Sequence, residues 1–200
     1  MSNSDTPLGL TPIKHSNGAP YNGAYSEYYV PSTYATALFV GDTVLVTGTS
    51  NTAGYKGNEA GTLPEINKSA AAGGGYISGV IVGFEPLPDD LSKTYNPAST
   101  ERIVYVADDP DLVFEIQEDG DTTPLAATSV SNNADLIFTH SGSTATGKSG
   151  IELDSSTINT TNTLQLKVRR LVNRANNAIG EFAKWEVTIN LHTQRYLTGI

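Results

Sequence analysis

ERIVYVADDPDLVFEIQEDG, residues 101–120, holds two dense apolar runs, Ile103 to Ala107 and Leu112 to Ile116, separated by Asp108-Asp109-Pro110-Asp111. β-Branched and aromatic residues dominate both runs, and such side chains pack well on a pleated surface. The separator is turn chemistry. Aspartate side chains bond their own backbone, and Pro110 fixes φ while disfavouring helical geometry at Asp109. The stretch therefore predicts a β-hairpin or a tight β-arch near the middle of an all-β domain.

Moving outward, residues 121–200 continue the strand pattern. Ala134 to His140 reads as a strand, Gly150 to Asp154 as a weak one, and the only short helix expected lies around Leu125 to Ser129. Thr163 to Val172 alternates Leu164, Leu166 and Val168 against Gln165, Lys167 and Arg169. The alternation slips at Arg169-Arg170, where a bulge would restore it. Lys184 to Leu191 places Trp185, Val187, Ile189 and Leu191 on one face.

On the N-terminal side, Ala35 to Gly48 reads as strand, turn and strand with Gly41-Asp42 at the corner. Tyr76 to Phe84 is a further strand, in which Gly79 and Gly83 suggest a bulge or a close backbone approach. Between them, residues 49–75 read as a long Gly/Ser/Asn/Ala loop. Residues 1–33 read as an extended arm punctuated by Pro7, Pro12, Pro20 and Pro31. The expected fold is thus an antiparallel β-sandwich or barrel, a single domain over 34–200, with that arm and long loops.

The 200 residues carry a net charge of -9 although only 16% are charged. Such a chain is repelled by phosphate backbones and by anionic lipid, so neither nucleic acid nor membrane is expected as a partner. No cysteine is present, which excludes disulfides and thiolate metal sites, and three histidines without HExxH spacing argue against zinc. The N-terminus lacks the basic start and apolar core of a signal peptide, so use without classical secretion is expected.

Three patterns invite a chemical reading. Gly142 to Ser149 matches GxxxxGK[ST], but the Ser/Thr/Asn-rich stretch after it cannot easily form the helix whose N-terminus would hold phosphates. The acidic clusters Asp89-Asp90, Asp108-Asp109-Asp111 and Glu118-Asp119-Asp121 sit where turns are expected, with a weak calcium site at Asp108, Asp109 and Asp111 left open. No GxSxG elbow exists. Neither a cofactor nor catalysis is expected.

Two patterns point instead to contact surfaces. Tyr21, Tyr25, Tyr28 and Tyr29 cluster in the arm, and tyrosine is a low-entropy contact residue with a polar tip. They either close one end of this chain's own barrel or lie on a neighbouring subunit. Lys167, Arg169, Arg170 and Arg174 concentrate positive charge in eight positions of an acidic chain, fitting an acidic partner surface or simply a solvated strand face.

Three segments carry a family resemblance: GAPYNGAYSEYYVPSTYATALFVGDTV, SGVIVGFEPLPDDLSKTYNPASTERIVYVADDPDLVFEIQEDG, and ADLIFTHSGS through SGIELD to LQLKVRRLVNRANNAIGEFAKWEVTIN. They resemble small virion proteins of tailed bacteriophages, encoded beside the major capsid protein and taken to be head decoration, or cement, proteins. The resemblance implies an all-β body, an N-terminal arm, self-association as a dimer or trimer, and binding to the major capsid protein on the outer face of the virion. It carries no catalytic residues. Tyr21, Tyr25, Tyr28, Tyr29, Arg169 and Arg170 are the expected interface residues. A β-rich tail or head-fibre adhesin is the alternative.

Overall fold

The two apolar runs of residues 101–120 form strands that do not pair with one another. The computed structural model describes residues 3–195 apart from 72 and 74. The described residues form eleven strands: β1 (Thr11–His15), β2 (Ser26–Val30), β3 (Thr43–Ser50), β4 (Pro64–Lys68), β5 (Gly79–Phe84), β6 (Arg102–Ala107), β7 (Leu112–Gln117), β8 (Asn133–Ile137), β9 (Glu152–Asn159), β10 (Leu166–Leu171) and β11 (Lys184–Ile189). β6 belongs to a closed barrel of order β2-β4-β3-β5-β6. β7 belongs to a six-stranded sheet of order β1-β7-β11-β10-β8-β9. The Asp-Asp-Pro-Asp turn is therefore an arch that hands the chain from one sheet to the other.

Burial explains the composition of both runs. Val104 and Val106 point into the barrel with Tyr28, Val30, Leu38, Val44, Ile66 and Ile81. Leu112, Phe114 and Ile116 point into the larger core of the sheet, around Trp185, Val187, Leu166, Val168 and Leu136. Ile103 and Val113 are buried on the opposite faces of their strands, which is why both runs read as continuous rather than alternating. Full burial of each such side chain stabilises the fold by about 1.5–3 kcal/mol.

The aspartates of the arch are held rather than merely solvated. Tyr28 donates its hydroxyl to Asp108 at 2.9 Å, and His15 Nδ1 lies 3.0 Å from Asp109 Oδ2. Arg195 reaches the Pro110 carbonyl at 2.7 Å and Asp111 Oδ1 at 2.5 Å. Asp109 Oδ1 also accepts the Asp111 amide at 2.8 Å, the local bond expected of a turn aspartate.

The sheet curls toward closure. Beyond β9, Leu153 forms a parallel bridge with Glu118, and the Asp119 amide donates to the Leu153 carbonyl at 3.0 Å. The other edge, β1, is shielded by its own return, in which the Tyr21 amide donates to Ile13 and the His15 amide to Ala19. β10 and β11 pair with a register shift between Val168 and Arg170, the bulge that the broken alternation predicted. β5 and β6 shift similarly between Ile81 and Gly83. Gly79 permits the close approach anticipated there, since a Cβ would lie 2.6 Å from the Ala107 carbonyl oxygen.

Several expectations are corrected. Of the expected arm over 1–33, residues 3–33 lie among the described residues, and they are paired into the body rather than standing apart. β1 pairs antiparallel with β7, and β2 pairs along its whole length with β6. The physical reason is the period-2 pattern of Ser26 to Val30, where Tyr28 and Val30 face inward while Glu27 and Tyr29 face outward. Even Asn3 is tied down, donating to the carbonyls of Ala178 and Glu181 and accepting the Ala178 amide.

Residues 49–75 are not one long loop. They contain β4, which has a single fully buried apolar side chain, Ile66, too little to register as a strand pattern. Buried Asn51 folds the preceding turn by donating to Ala53 and Glu59 and accepting from Leu63. Gln165 secures the glycine-rich end, donating to the Ala70 and Gly75 carbonyls. Conversely, 35–40 forms no regular strand and makes only isolated bridges, Leu38 with Asn96 and Val40 with Lys148. The expected helix is a single 3-10 turn, Ala127–Ser129, and the weak strand extends to Asn159.

Candidate functional site

Strand β2 sorts the four sequence-predicted tyrosines by alternation. Tyr28 is 8% exposed and forms part of the barrel core, so it is removed from the expected interface set. Its hydroxyl, bonded to Asp108, is held well above the ordinary phenol range by burial and by that carboxylate. Tyr21 packs against the larger core and donates to the Ala24 carbonyl at 2.7 Å. It closes this chain's own body, but on the core of the six-stranded sheet rather than at an end of the barrel. Tyr25 and Tyr29 remain outside.

Those two rings meet two others that the sequence reading missed. Tyr25, 51% exposed, lies over Tyr105 with ring centroids 4.4 Å apart. Tyr29 meets Tyr55 edge-on at 5.6 Å. Tyr105 sits on the outward face of β6, opposite Glu27 of β2, while Tyr29 is opposite Ile103. The outer wall of the barrel thus carries four tyrosines in two contacting pairs. Tyr105 was readable as the outward residue between Val104 and Val106. Tyr55 lies in a turn with no periodic signal.

Glutamates frame the rings. Glu101 accepts the Tyr29 hydroxyl, and the Glu101 carbonyl accepts that of Tyr55 at 3.1 Å. Glu65 is paired with Tyr29 across β4 and β2. The phenols of Tyr29, Tyr55 and Tyr105 all titrate above the ordinary value. Burial is the first cause in each, and nearby glutamates add to it. Lys56 already shows how a cation is received here. Its Nζ sits 5.6 Å from the Tyr55 ring centroid and 2.8 Å from Glu85 Oε2, and that hydrogen bond raises its pKa.

The predicted arginines lie on the outward face of the six-stranded sheet. Cross-strand pairing places Glu115 opposite Glu186 and Arg170 opposite Glu186. Glu186 holds Lys14 at 2.7 Å and Arg170 at 2.9 Å, and Glu115 holds Arg174. These cations keep the Glu186 carboxyl below its usual range despite its burial. Arg169 is exposed at the bulge and donates to Ser16 at 3.1 Å. A groove of about 480 Å³ runs between Lys14, His15, Ser16, Arg169 and Arg170.

The remaining motifs are placed as follows. The Gly142–Ser149 loop leads into strand β9, and Ser149 is buried with its hydroxyl donating to Asp42 at 2.6 Å. The helix N-terminus that a phosphate-binding loop requires does not follow it. Asp108, Asp109 and Asp111 are divided among Tyr28, His15 and Arg195 rather than gathered around one point. Among the described residues, one group of acids could hold a metal ion, Asp119, Asp121 and Asp154, with oxygens within 4.8 Å of one another. Ser155 donates to two of them, at 2.7 and 3.0 Å.

Comparison with family models, with curated proteins and with solved structures finds no match for this chain.

Proposed function

We propose that this protein is a non-enzymatic structural component of a tailed-phage virion. In this reading it is a head decoration protein that binds the outer face of the shell and bridges neighbouring major capsid proteins. The observation that carries the reading is the outward tyrosine–glutamate wall on a closed barrel. Its rings are held by contact in pairs, and those of Tyr29 and Tyr55 also by hydroxyl bonds to Glu101, so little side-chain freedom is lost when a partner covers them. The family resemblance of residues 18–190, apart from 49–75, supplies the partner, and the cysteine-free, disulfide-independent core suits assembly in a reducing cytoplasm. Self-association as a dimer or trimer belongs to the same reading.

The test is quantitative mass spectrometry of purified particles. Hundreds of copies, in simple ratio to the shell protein, are expected. A handful of copies would move the protein to the tail or a head fibre, and absence from the particle would refute both. The fibre or adhesin alternative draws on the same wall, because exposed tyrosine faces beside carboxylate acceptors also suit stacking against sugar rings. Host-cell binding by the isolated protein separates it from cement, which binds shells alone.

A further inference from the structure

The charge of this chain is segregated between two named faces, and the two are chemically complementary. The outward face of the six-stranded sheet carries Lys14, Lys167, Arg169, Arg170, Arg174 and Lys184 around Glu115 and Glu186. Asp135, Glu152 and Asp154 stand on the same face at its β8–β9 end, so it holds six of the twelve basic residues and five of the twenty-one acids, leaving six basic against sixteen acidic side chains elsewhere. The barrel wall offers the reverse: Tyr25, Tyr29, Tyr55 and Tyr105 with Glu27, Glu65, Glu85 and Glu101 around them.

We propose that the tyrosine–glutamate wall of one copy docks the basic sheet face of a second copy. Arg169 and Lys167 enter between the rings of Tyr25 and Tyr105 and the carboxylate of Glu27. Three observations support this pairing. Lys56 already occupies such a place within the chain, over a tyrosine ring and against a glutamate, so the wall is built to receive cations. Arg169 and Lys167 are exposed, and among the described residues neither has an acidic partner at ion-pair distance, unlike Arg170, Arg174 and Lys14. Glu27 is likewise exposed on the wall without a basic partner at that distance among the described residues.

The contact is heterologous, since different patches meet. Successive copies joined by it close into a ring where the rotation closes and extend as a filament where it does not, whereas two copies that engage both patches reciprocally form an isologous dimer. The overall charge of -9 does not forbid it. At about 0.15 M salt the Debye length is about 8 Å, so repulsion between whole molecules is screened while groups in contact still attract. Cation–π contacts add to the attraction when the rings are desolvated.

This inference deepens the self-association in the reading above, and it is tested on the isolated protein. Two double variants are made at exposed positions: Tyr25→Ala with Glu27→Lys on the wall, and Lys167→Glu with Arg169→Glu on the sheet. Circular dichroism and thermal melting matching wild type establish that both fold. In sedimentation velocity at about 0.15 M salt and up to about 100 µM protein, wild type is expected to associate and each variant to stay monomeric. An equimolar mixture of the two variants is expected to form a heterodimer, because each supplies the face the other lacks. A monomeric wild type, variants that associate as wild type does, or a mixture that stays monomeric would each overturn the proposal. A chain that coats particles yet stays monomeric defeats this inference alone. One that associates as described yet is absent from particles defeats only the capsid reading.

Discussion

Substituting Glu118 and His192 singly should uncover two opposing pH dependences that nearly cancel in the native protein. Both side chains are fully buried. Glu118 Oε2 accepts the Leu125 amide at 2.7 Å, while Oε1 and the Trp185 indole nitrogen lack a well-formed hydrogen bond among the described residues. Burial pushes this carboxyl from 4.5 up to about 7. His192 Nδ1 accepts the Gln194 amide at 3.2 Å, and Nε2 has no hydrogen-bond partner among the described residues. Burial, assisted by Arg195, pushes the imidazole from 6.5 down to about 4, against the aspartates of the arch.

The signs follow from which state binds more protons. Between pH 4.5 and 7 the unfolded chain has ionised Glu118 while the folded one keeps it neutral, so stability falls as pH rises. Between pH 4 and 6.5 the unfolded chain has protonated His192 while the folded one keeps it neutral, so stability rises with pH. Each shift of about 2.5 units corresponds to about 3 kcal/mol, and within the overlap the two slopes oppose one another. Glu118→Gln preserves an acceptor for Leu125 and abolishes one slope, and His192→Asn keeps an acceptor near Nδ1 and abolishes the other. Urea unfolding at a series of pH values is the assay. Relative to wild type, Glu118→Gln should gain about 3 kcal/mol between pH 4 and pH 8, and His192→Asn should gain by a similar amount as pH falls from 7 to 4. A difference that stays flat within about 1 kcal/mol over these ranges, or one of opposite sign, would refute the reasoning.

Asp42 is fully buried, accepts the Phe39 amide and the Ser149 hydroxyl, and pairs with Lys68 at 3.0 Å. Asp42→Ala should therefore cost about 3–5 kcal/mol in chemical denaturation, and a loss under about 1 kcal/mol would contradict its role as a clasp between barrel and sheet. Arg102 is buried and donates to three backbone carbonyls, of Glu85, Tyr95 and Lys93. Arg102→Met should lower stability by about 2–4 kcal/mol and speed amide exchange across 85–100, whereas unchanged exchange there would show that the loop holds itself. At Gly41, φ is +97° and a Cβ would lie 2.3 Å from the Leu8 carbonyl oxygen. Gly41→Ala should cost at least about 2 kcal/mol, read as a lowered melting temperature. Lys148 is exposed ahead of a strand, so Lys148→Ala should change stability by less than about 0.5 kcal/mol and leave nucleotide titrations as featureless as those of wild type.

Strand character was legible wherever both faces of a strand are buried, or where one face alternates over several residues. Residues 101–120 and 184–191 satisfied one condition or the other. The bulge in β10 was legible because Val168 and Arg170 could not otherwise keep their faces. What the local pattern does not contain is the partner of each strand. The arch and the hairpin have the same sequence signature, and the choice rests on β2 and β5 flanking β6 while β1 and β11 flank β7. β4 was invisible for a related reason. It closes the barrel through backbone pairing with β3 and needs only Ile66 inside.

The candidate site shows the same division between local pattern and long-range placement. A cluster of tyrosines marks Tyr21, Tyr25, Tyr28 and Tyr29 as contact residues, but clustering in sequence does not say contact with what. In an extended segment, neighbouring side chains point to opposite sides. Tyr28 is thereby committed to the core and Tyr29 to the wall, so replacing all four with alanine would injure the barrel and the surface together. The wall becomes a site only when β6 brings Tyr105 beside Tyr25 and the 51–58 turn lays Tyr55 against Tyr29. Its charge is assembled in the same way, from glutamates at 27, 65, 85 and 101 that lie on four separate segments. The basic face is the converse case. Lys167, Arg169 and Arg170 are close in sequence because one strand and its bulge present them together, and only Lys14, Arg174 and Lys184 had to be gathered by the fold. A surface built from one strand is readable before folding, and one built across four segments is not. That is why the arginines of the basic face stand together in the sequence while the four tyrosines of the wall do not.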